Sequence, residues 1–191
     1  MSGIVVIGAS LGGLHALERV LSGLPAGFGL PILVVQHRSE DSPALLAGLL
    51  ARHSLLAVAE AEDKSPLEPA VVLVAPAGYH ALVEPGHVSL STEEEVRFSR
   101  PSIDLALETA AQAYGERAVG VVLTGANDDG SRGLAAIRRA GGRAIVQEPE
   151  HAERRAMPDA AIAAAAPQWV LELDEIGPRL VAIAAELGVP V

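Results

Sequence analysis

The feature that most limits what this chain can become is a rhythm of short, unbroken apolar runs alternating with longer amphipathic segments rich in alanine and leucine. "IVVI" (4–7), "PILVVQ" (31–36), "AVVLVAP" (70–76), "AVGVVLTG" (118–125) and "RAIVQEP" (143–149) read as strands, and "WVLEL" (169–173) as a short last one. Between them lie helix candidates: 14–24, "SPALLAGLLARHS" (42–54), "PSIDLALETAAQAYG" (101–115), "SRGLAAIRRAGG" (131–142), "MPDAAIAAAA" (157–166) and "EIGPRLVAIAAELG" (175–188). Ser102 suits the N-cap of the third, and Gly115 stops it. A strand that is apolar at every position, not every second one, must be buried on both faces. In a strand–helix alternation that predicts an α/β fold. The expected architecture is a parallel sheet with helices on both faces. "YHALVEPGHVSLS" departs from the rhythm and reads as a short β-hairpin turning at Glu84-Pro85-Gly86.

The length of 191 residues suits one domain, and residues 1–191 are expected to form it. No apolar stretch approaches the roughly 18–20 residues of a membrane span. The N-terminus lacks the basic segment and apolar core of a secretory signal. There is no cysteine, which removes disulfides and a thiol nucleophile and is compatible with the cytoplasm. The net charge is −10 and the basic residues are scattered, so a nucleic-acid partner is not expected. No His-x-x-x-His pair or convergent carboxylate set suggests a metal, and no cofactor is expected. The run Glu93-Glu94-Glu95 reads as a solvated loop.

In an open parallel sheet, ligands bind beyond the carboxyl ends of the strands. The polar residues there are Ser10 after the first strand, Gln36-His37-Arg38 after the second and Asn127-Asp128-Asp129 after "AVGVVL". Serine, histidine and aspartate are the residue types of a nucleophile, its base and the base's orienter. Gly8-Ala9-Ser10-Leu11-Gly12 also fits the pattern of a nucleophile on a sharp strand-to-helix turn. The helix opening near Gly12 would aim free N–H groups of Leu11, Gly12 and Gly13 at an oxyanion, each donor being worth about 3–4 kcal/mol of barrier.

Two bland readings compete. Asp128 or Asp129 could simply cap the next helix. The glycine-rich turn could instead be a dinucleotide loop, with Arg38 meeting the extra phosphate of NADP. A third possibility is an interaction domain without chemistry. His15, His53, His87 and His151 read as solvated or locally bonded, and His80 is ambiguous.

Taken together, IGASLGG (7–13), VVQHR (34–38), VAPAGYH (74–80), RPSID (100–104), GVVLTGANDDG (120–130) and AMPDAAI (156–162) resemble, in order, the motifs of the CheB-type protein-glutamate methylesterases. The resemblance implies a doubly wound, mostly parallel α/β fold in three layers and a Ser10–His37–Asp129 triad. It implies hydrolysis of glutamyl methyl esters, with glutamine deamidation in some members, on the cytoplasmic helices of chemoreceptors or another methylated protein. Leu11 stands where the family has threonine, and Ala126-Asn127 where it has Met-Gly. Ala126, Asn127 and Met157 are therefore the candidates for a substrate pocket. Family members often carry an N-terminal phosphoacceptor domain. None is expected within these residues, so a separate regulatory domain or protein would have to supply that control.

Overall fold

β1 (Ile4–Ala9) occupies the middle of a seven-stranded sheet in the computed structural model, which describes residues 3–39, 45–96 and 99–191. On one side it pairs with β2 (Ile32–Gln36), and beyond it lie β5 (Val71–Val74) and β3 (Ala57–Glu60). On the other side it pairs with β8 (Ala118–Val122), followed by β9 (Arg143–Gln147) and β10 (Trp169–Leu171). All six pairings are parallel. The chain thus fills one side of β1 first, with β5 inserting between β2 and the earlier edge strand β3, then returns to β8 beside β1 and winds outward on the other side. That reversal creates a crevice at the carboxyl ends of β1 and its neighbours, the place where such sheets bind ligands.

The unbroken apolar strands are explained by burial on two faces. Ile4 and Val6 of β1 enter one core; Val5 and Ile7 enter the other. The first core is closed by α3 (Ile103–Tyr114), α4 (Ser131–Arg139) and α5 (Ala156–Ala165) through residues such as Leu107, Ile137 and Ala161. The second is closed by α1 (Gly13–Ser22), α2 (Leu46–Ala51) and α6 (Leu173–Glu186) through Leu17, Leu50 and Ile183. The expected hairpin forms from β6 (His80–Glu84) and β7 (His87–Ser91), with antiparallel pairing. β4 (Ser65–Pro66) joins it to make a small second sheet. Residues 40–44 lie outside the described residues, and with them 42–44, the start of the second helix expected from sequence. The expected solvated loop at Glu93-Glu94-Glu95 is irregular and exposed.

Two elements were not expected. β3 is an edge strand whose residues alternate between exposed and half-buried, and β4 is only two residues long and contains a proline. Neither carries the apolar run that marks the inner strands.

One close approach sets the geometry of the site. A Cβ on Gly8 would lie 2.3 Å from Cγ2 of Ile103, the first residue of α3. Only a bare Cα at Gly8 lets the N-terminus of α3 sit on the end of β1. Gly8→Ala should therefore cost about 1–3 kcal/mol through overpacking. Urea denaturation would measure the loss. Ile103→Ala, which removes the clashing Cγ2, should reduce the added cost of Gly8→Ala, and full additivity of the two changes would contradict the contact.

Candidate active site

The last rungs of two parallel ladders bring the first two residues together. β1 and β2 are in register with Ala9 opposite Gln36. The ladder runs one bond further, from His37 N–H to the Ala9 carbonyl at 3.0 Å. Ser10 N–H likewise donates to the Thr124 carbonyl just past β8, at 2.9 Å. Ser10 and His37 are therefore placed side by side by backbone pairing alone. Their side chains meet, with His37 Nδ1 3.2 Å from Ser10 Oγ. The opposite ring nitrogen, Nε2, lies 2.8 Å from Oδ2 of Asp129.

Asp129 is fully buried. Besides His37, its carboxylate accepts hydrogen bonds from the N–H groups of Ile103 (2.8 Å), Asp104 (2.9 Å) and Gly130 (3.0 Å) and from the Ser102 hydroxyl (3.2 Å). It thus sits on the N-terminus of α3, where free N–H groups and the helix dipole favour a negative charge. Burial by itself would push this carboxyl up. The hydrogen bond from His37, the N–H groups of Asp104 and Ile103, and the charge of the imidazole outweigh burial and hold it below the usual carboxylate range.

A carboxylate only accepts, so Nε2 must carry the ring proton and Nδ1 presents its lone pair to the serine hydroxyl. Rotating the ring by half a turn would put carbon at both contacts. The pair of hydrogen bonds therefore determines the orientation.

Ser10, Leu11, Leu14, His15, His37 and Glu153 line an open cleft of about 510 Å³. Gly12 caps α1 in the left-handed conformation, at φ 81°. The N–H groups of Leu11 and Gly12 have no hydrogen-bond partner among the described residues. Gly13 differs, because its N–H closes the turn onto the Ser10 carbonyl at 2.8 Å.

The CheB methylesterase profile matches residues 5–180. The chain belongs to the CheB methylesterase family. A provisionally named protein-glutamate methylesterase/protein-glutamine glutaminase of Leptospira interrogans is 43% identical over 173 residues, 90% of each chain. The protein-glutamate methylesterase FrzG of Myxococcus xanthus is 40% identical over 178 residues, covering 93% of this chain and 53% of that protein. Among solved structures, the Thermotoga maritima CheB methylesterase catalytic domain superposes with a TM-score of 0.88 at 33% identity, covering 95% of this chain and 98% of that one.

Not every candidate from the sequence reaches the cleft of this family member. Met157 is completely buried, because it fills the space over Gly125: a Cβ there would lie 2.0 Å from the Met157 sulfur. It is core, not pocket. Ala126 is exposed and Asn127 half-buried, and neither is among the cleft-lining residues. The Asn127 side chain instead accepts the Asp129 N–H at 3.3 Å, shaping the loop. Gly130, not Asp128 or Asp129, is the N-cap of α4. His80 is a buried structural histidine: Nδ1 accepts the Ser102 N–H at 3.1 Å and Nε2 meets the Glu94 carbonyl at 3.0 Å.

Three neighbours of the site were given no role in it by the sequence. Gln36 clamps the site: its Nε2 donates to the Ser10 and His37 carbonyls at 2.8 and 3.0 Å. Its position directly before His37 was the available signal. His15 and Glu153 line the cleft. His15 could have been found by its place in the first turn after the glycines; nothing local marks Glu153.

Asp129→Asn offers a test with two readouts. An amide nitrogen facing Nε2 would move the ring proton to Nδ1 and deny the serine its base, an effect on the order of 10⁴ in kcat in a comparable triad. The donors left unpaired should also cost about 1–3 kcal/mol of stability at pH 7. Because the native carboxyl is lowered, its contribution is fully present above the unfolded value of about 3.9 and is lost as pH falls through the lower native value. The stability gap between parent and variant should narrow as pH falls below about 4. Denaturation at several pH values would show it, and a gap independent of pH would contradict the lowered carboxyl.

Proposed function

We propose that this chain is a serine carboxylesterase that hydrolyses γ-glutamyl methyl esters, with Ser10 as nucleophile, His37 as base and Asp129 as orienter. The observation that carries the reading is the unbroken chain Ser10 Oγ–His37–Asp129 at the crevice where the sheet reverses direction. Family membership supports the substrate class, since the Leptospira and Myxococcus relatives are both named for protein-glutamate methylesterase activity.

In the first half-reaction, neutral His37 takes the Ser10 proton at Nδ1 as Oγ bonds to the ester carbonyl carbon. Asp129 steadies the imidazolium through Nε2–H. The oxyanion lies against the N–H groups of Leu11 and Gly12, near the N-terminus of α1. Collapse breaks the bond to methoxide, which leaves as methanol with the proton from Nδ1. Water then attacks the acyl-serine, again giving its proton to Nδ1; collapse breaks the acyl–Oγ bond, Oγ takes the proton back from Nδ1, and the glutamic acid side chain leaves and ionises to the carboxylate. With a glutamine substrate, the same steps expel ammonia. The substrate we infer is a methylated glutamate on a chemoreceptor helix or another methylated protein in the cytoplasm. No helix among the described residues is long and apolar enough to cross a membrane.

The dinucleotide reading is not favoured. The Arg38 guanidinium, needed there for a phosphate, is bonded to Glu60 at 2.8 Å and to the Ala75 carbonyl at 2.9 Å.

Ser10→Ala should remove hydrolysis of a 4-nitrophenyl ester while leaving the thermal melt nearly unchanged. A fluorophosphonate probe should label the parent at the peptide containing Ser10 and spare the variant. Parent activity should fall as the histidine protonates on acidification, since an imidazolium cannot accept the proton. Hydrolysis that survives in the variant, or labelling elsewhere, would remove the serine from this role.

A further inference from the structure

Glu153 takes no part in the triad, yet the fold holds it against the nucleophile turn. The Arg154 N–H donates to Thr124 Oγ1 at 2.9 Å, and the Arg154 carbonyl accepts the Gly125 N–H at 3.0 Å. The same threonine hydroxyl donates to the Leu11 carbonyl at 2.9 Å, and its carbonyl accepts the Ser10 N–H. The loop carrying Glu153 and the turn carrying Ser10 therefore hang on one residue. The Glu153 side chain covers the open face of Gly12, where a Cβ would come within 2.6 Å of Oε2 and 2.7 Å of the glutamate Cβ. Histidines aside, Glu153 is the only ionisable side chain among the described residues lining the cleft.

The reaction changes charge at this spot. A methyl ester and a primary amide are both neutral, whereas the product of either is a carboxylate. A fixed negative charge beside the turn raises the free energy of the bound product and leaves the neutral substrate's net charge unopposed. An unmodified glutamate side chain on a partly methylated protein meets the same repulsion. We propose that Glu153 is a charge filter: it admits neutral glutamyl esters and amides and disfavours the glutamate carboxylate, both as competitor and as product. The inference rests on reading the Ser10 cleft as the site of ester hydrolysis. Glu153 is exposed, so its field is screened by salt, with a decay length of about 8 Å at physiological ionic strength.

The test uses hydrolysis of 4-nitrophenyl butyrate, with butyrate and butyramide as competitive inhibitors of equal size and different charge. In the parent, butyramide should bind more tightly than butyrate, and the ratio of the two inhibition constants should shrink as sodium chloride is raised. In Glu153→Gln the ratio should fall about threefold, the size of an exposed charge–charge effect, and lose its salt dependence. Glu153→Asp should keep the parent preference, and Glu153→Lys should reverse it. A purely structural role would follow side-chain shape and would not track charge through this series. Equal ratios in the parent and Glu153→Gln would overturn the filter and leave the esterase reading standing. Parent hydrolysis no faster than that of Ser10→Ala would overturn the esterase reading and the filter with it.

Discussion

A single buried carboxylate ties three parts of this molecule together. Asp129 lies in the loop after β8, caps the N-terminus of α3 through the N–H groups of Ile103 and Asp104, and holds His37 by Nε2. An isolated carboxylate in that position would be costly. Here each hydrogen bond that stabilises the charge also fixes an element. The helix end is held against the sheet, the loop is closed, and the imidazole is oriented. Gly8 is the steric condition for the arrangement, since it admits Ile103 to the end of β1. A second carboxylate reinforces the join in the opposite sense: Asp104 of α3, also buried, accepts the Gly133 N–H of α4 at 2.8 Å. α3 and the segment from β8 into α4 are thus joined in both directions, Asp129 accepting from α3 and Asp104 from α4.

The serine and histidine depend on the sheet in a more direct way. Parallel register between β1 and β2 sets Ala9 opposite Gln36, so the residues that follow are neighbours without any loop having to fold back. With only a strand end to work from, His37 reaches the serine with Nδ1, the nitrogen nearer its own backbone, and leaves Nε2 for the more distant Asp129. The Gln36 amide, bonded to the carbonyls of both Ser10 and His37, braces the two strand ends against one another. Precision at the site therefore comes from ladder geometry and one side-chain clamp.

Much of this was legible in the chain. Strands apolar at every position can only be central and parallel, and the order of polar residues at their ends placed serine, histidine and aspartate on one edge of the sheet. Ser102 read correctly as the cap of α3 because N-capping is local. What escaped was decided by tertiary contacts. β3 alternates exposed and half-buried residues and carries no run. Met157 sits within a family motif, but its depth depends on Gly125, 32 positions earlier, having no side chain to exclude it. Glu153 reaches the cleft only because its neighbour Arg154 is bonded to Thr124 across the fold. The turn expected to receive an oxyanion lost one expected donor for a similar reason, since Gly13 N–H is consumed in closing the turn that the glycines make possible.

Those outcomes separate two kinds of contribution within the same short segment. At Leu11 and Gly12 the group suited to the chemistry is the backbone N–H, which any side chain at position 11 would leave in place. The Leu11 side chain is half exposed, as is that of Leu14 one turn along, and both face the cleft. Substituting leucine for the family's threonine at position 11 therefore changes the surface a substrate meets without disturbing the turn that would receive its oxyanion. Gly12 has no such freedom, being confined by its left-handed φ and by the Glu153 side chain above it. Under the proposed reading, the chemistry would rest on backbone and triad, and selection among substrates would fall to the apolar rim of Leu11 and Leu14 and to the charge of Glu153.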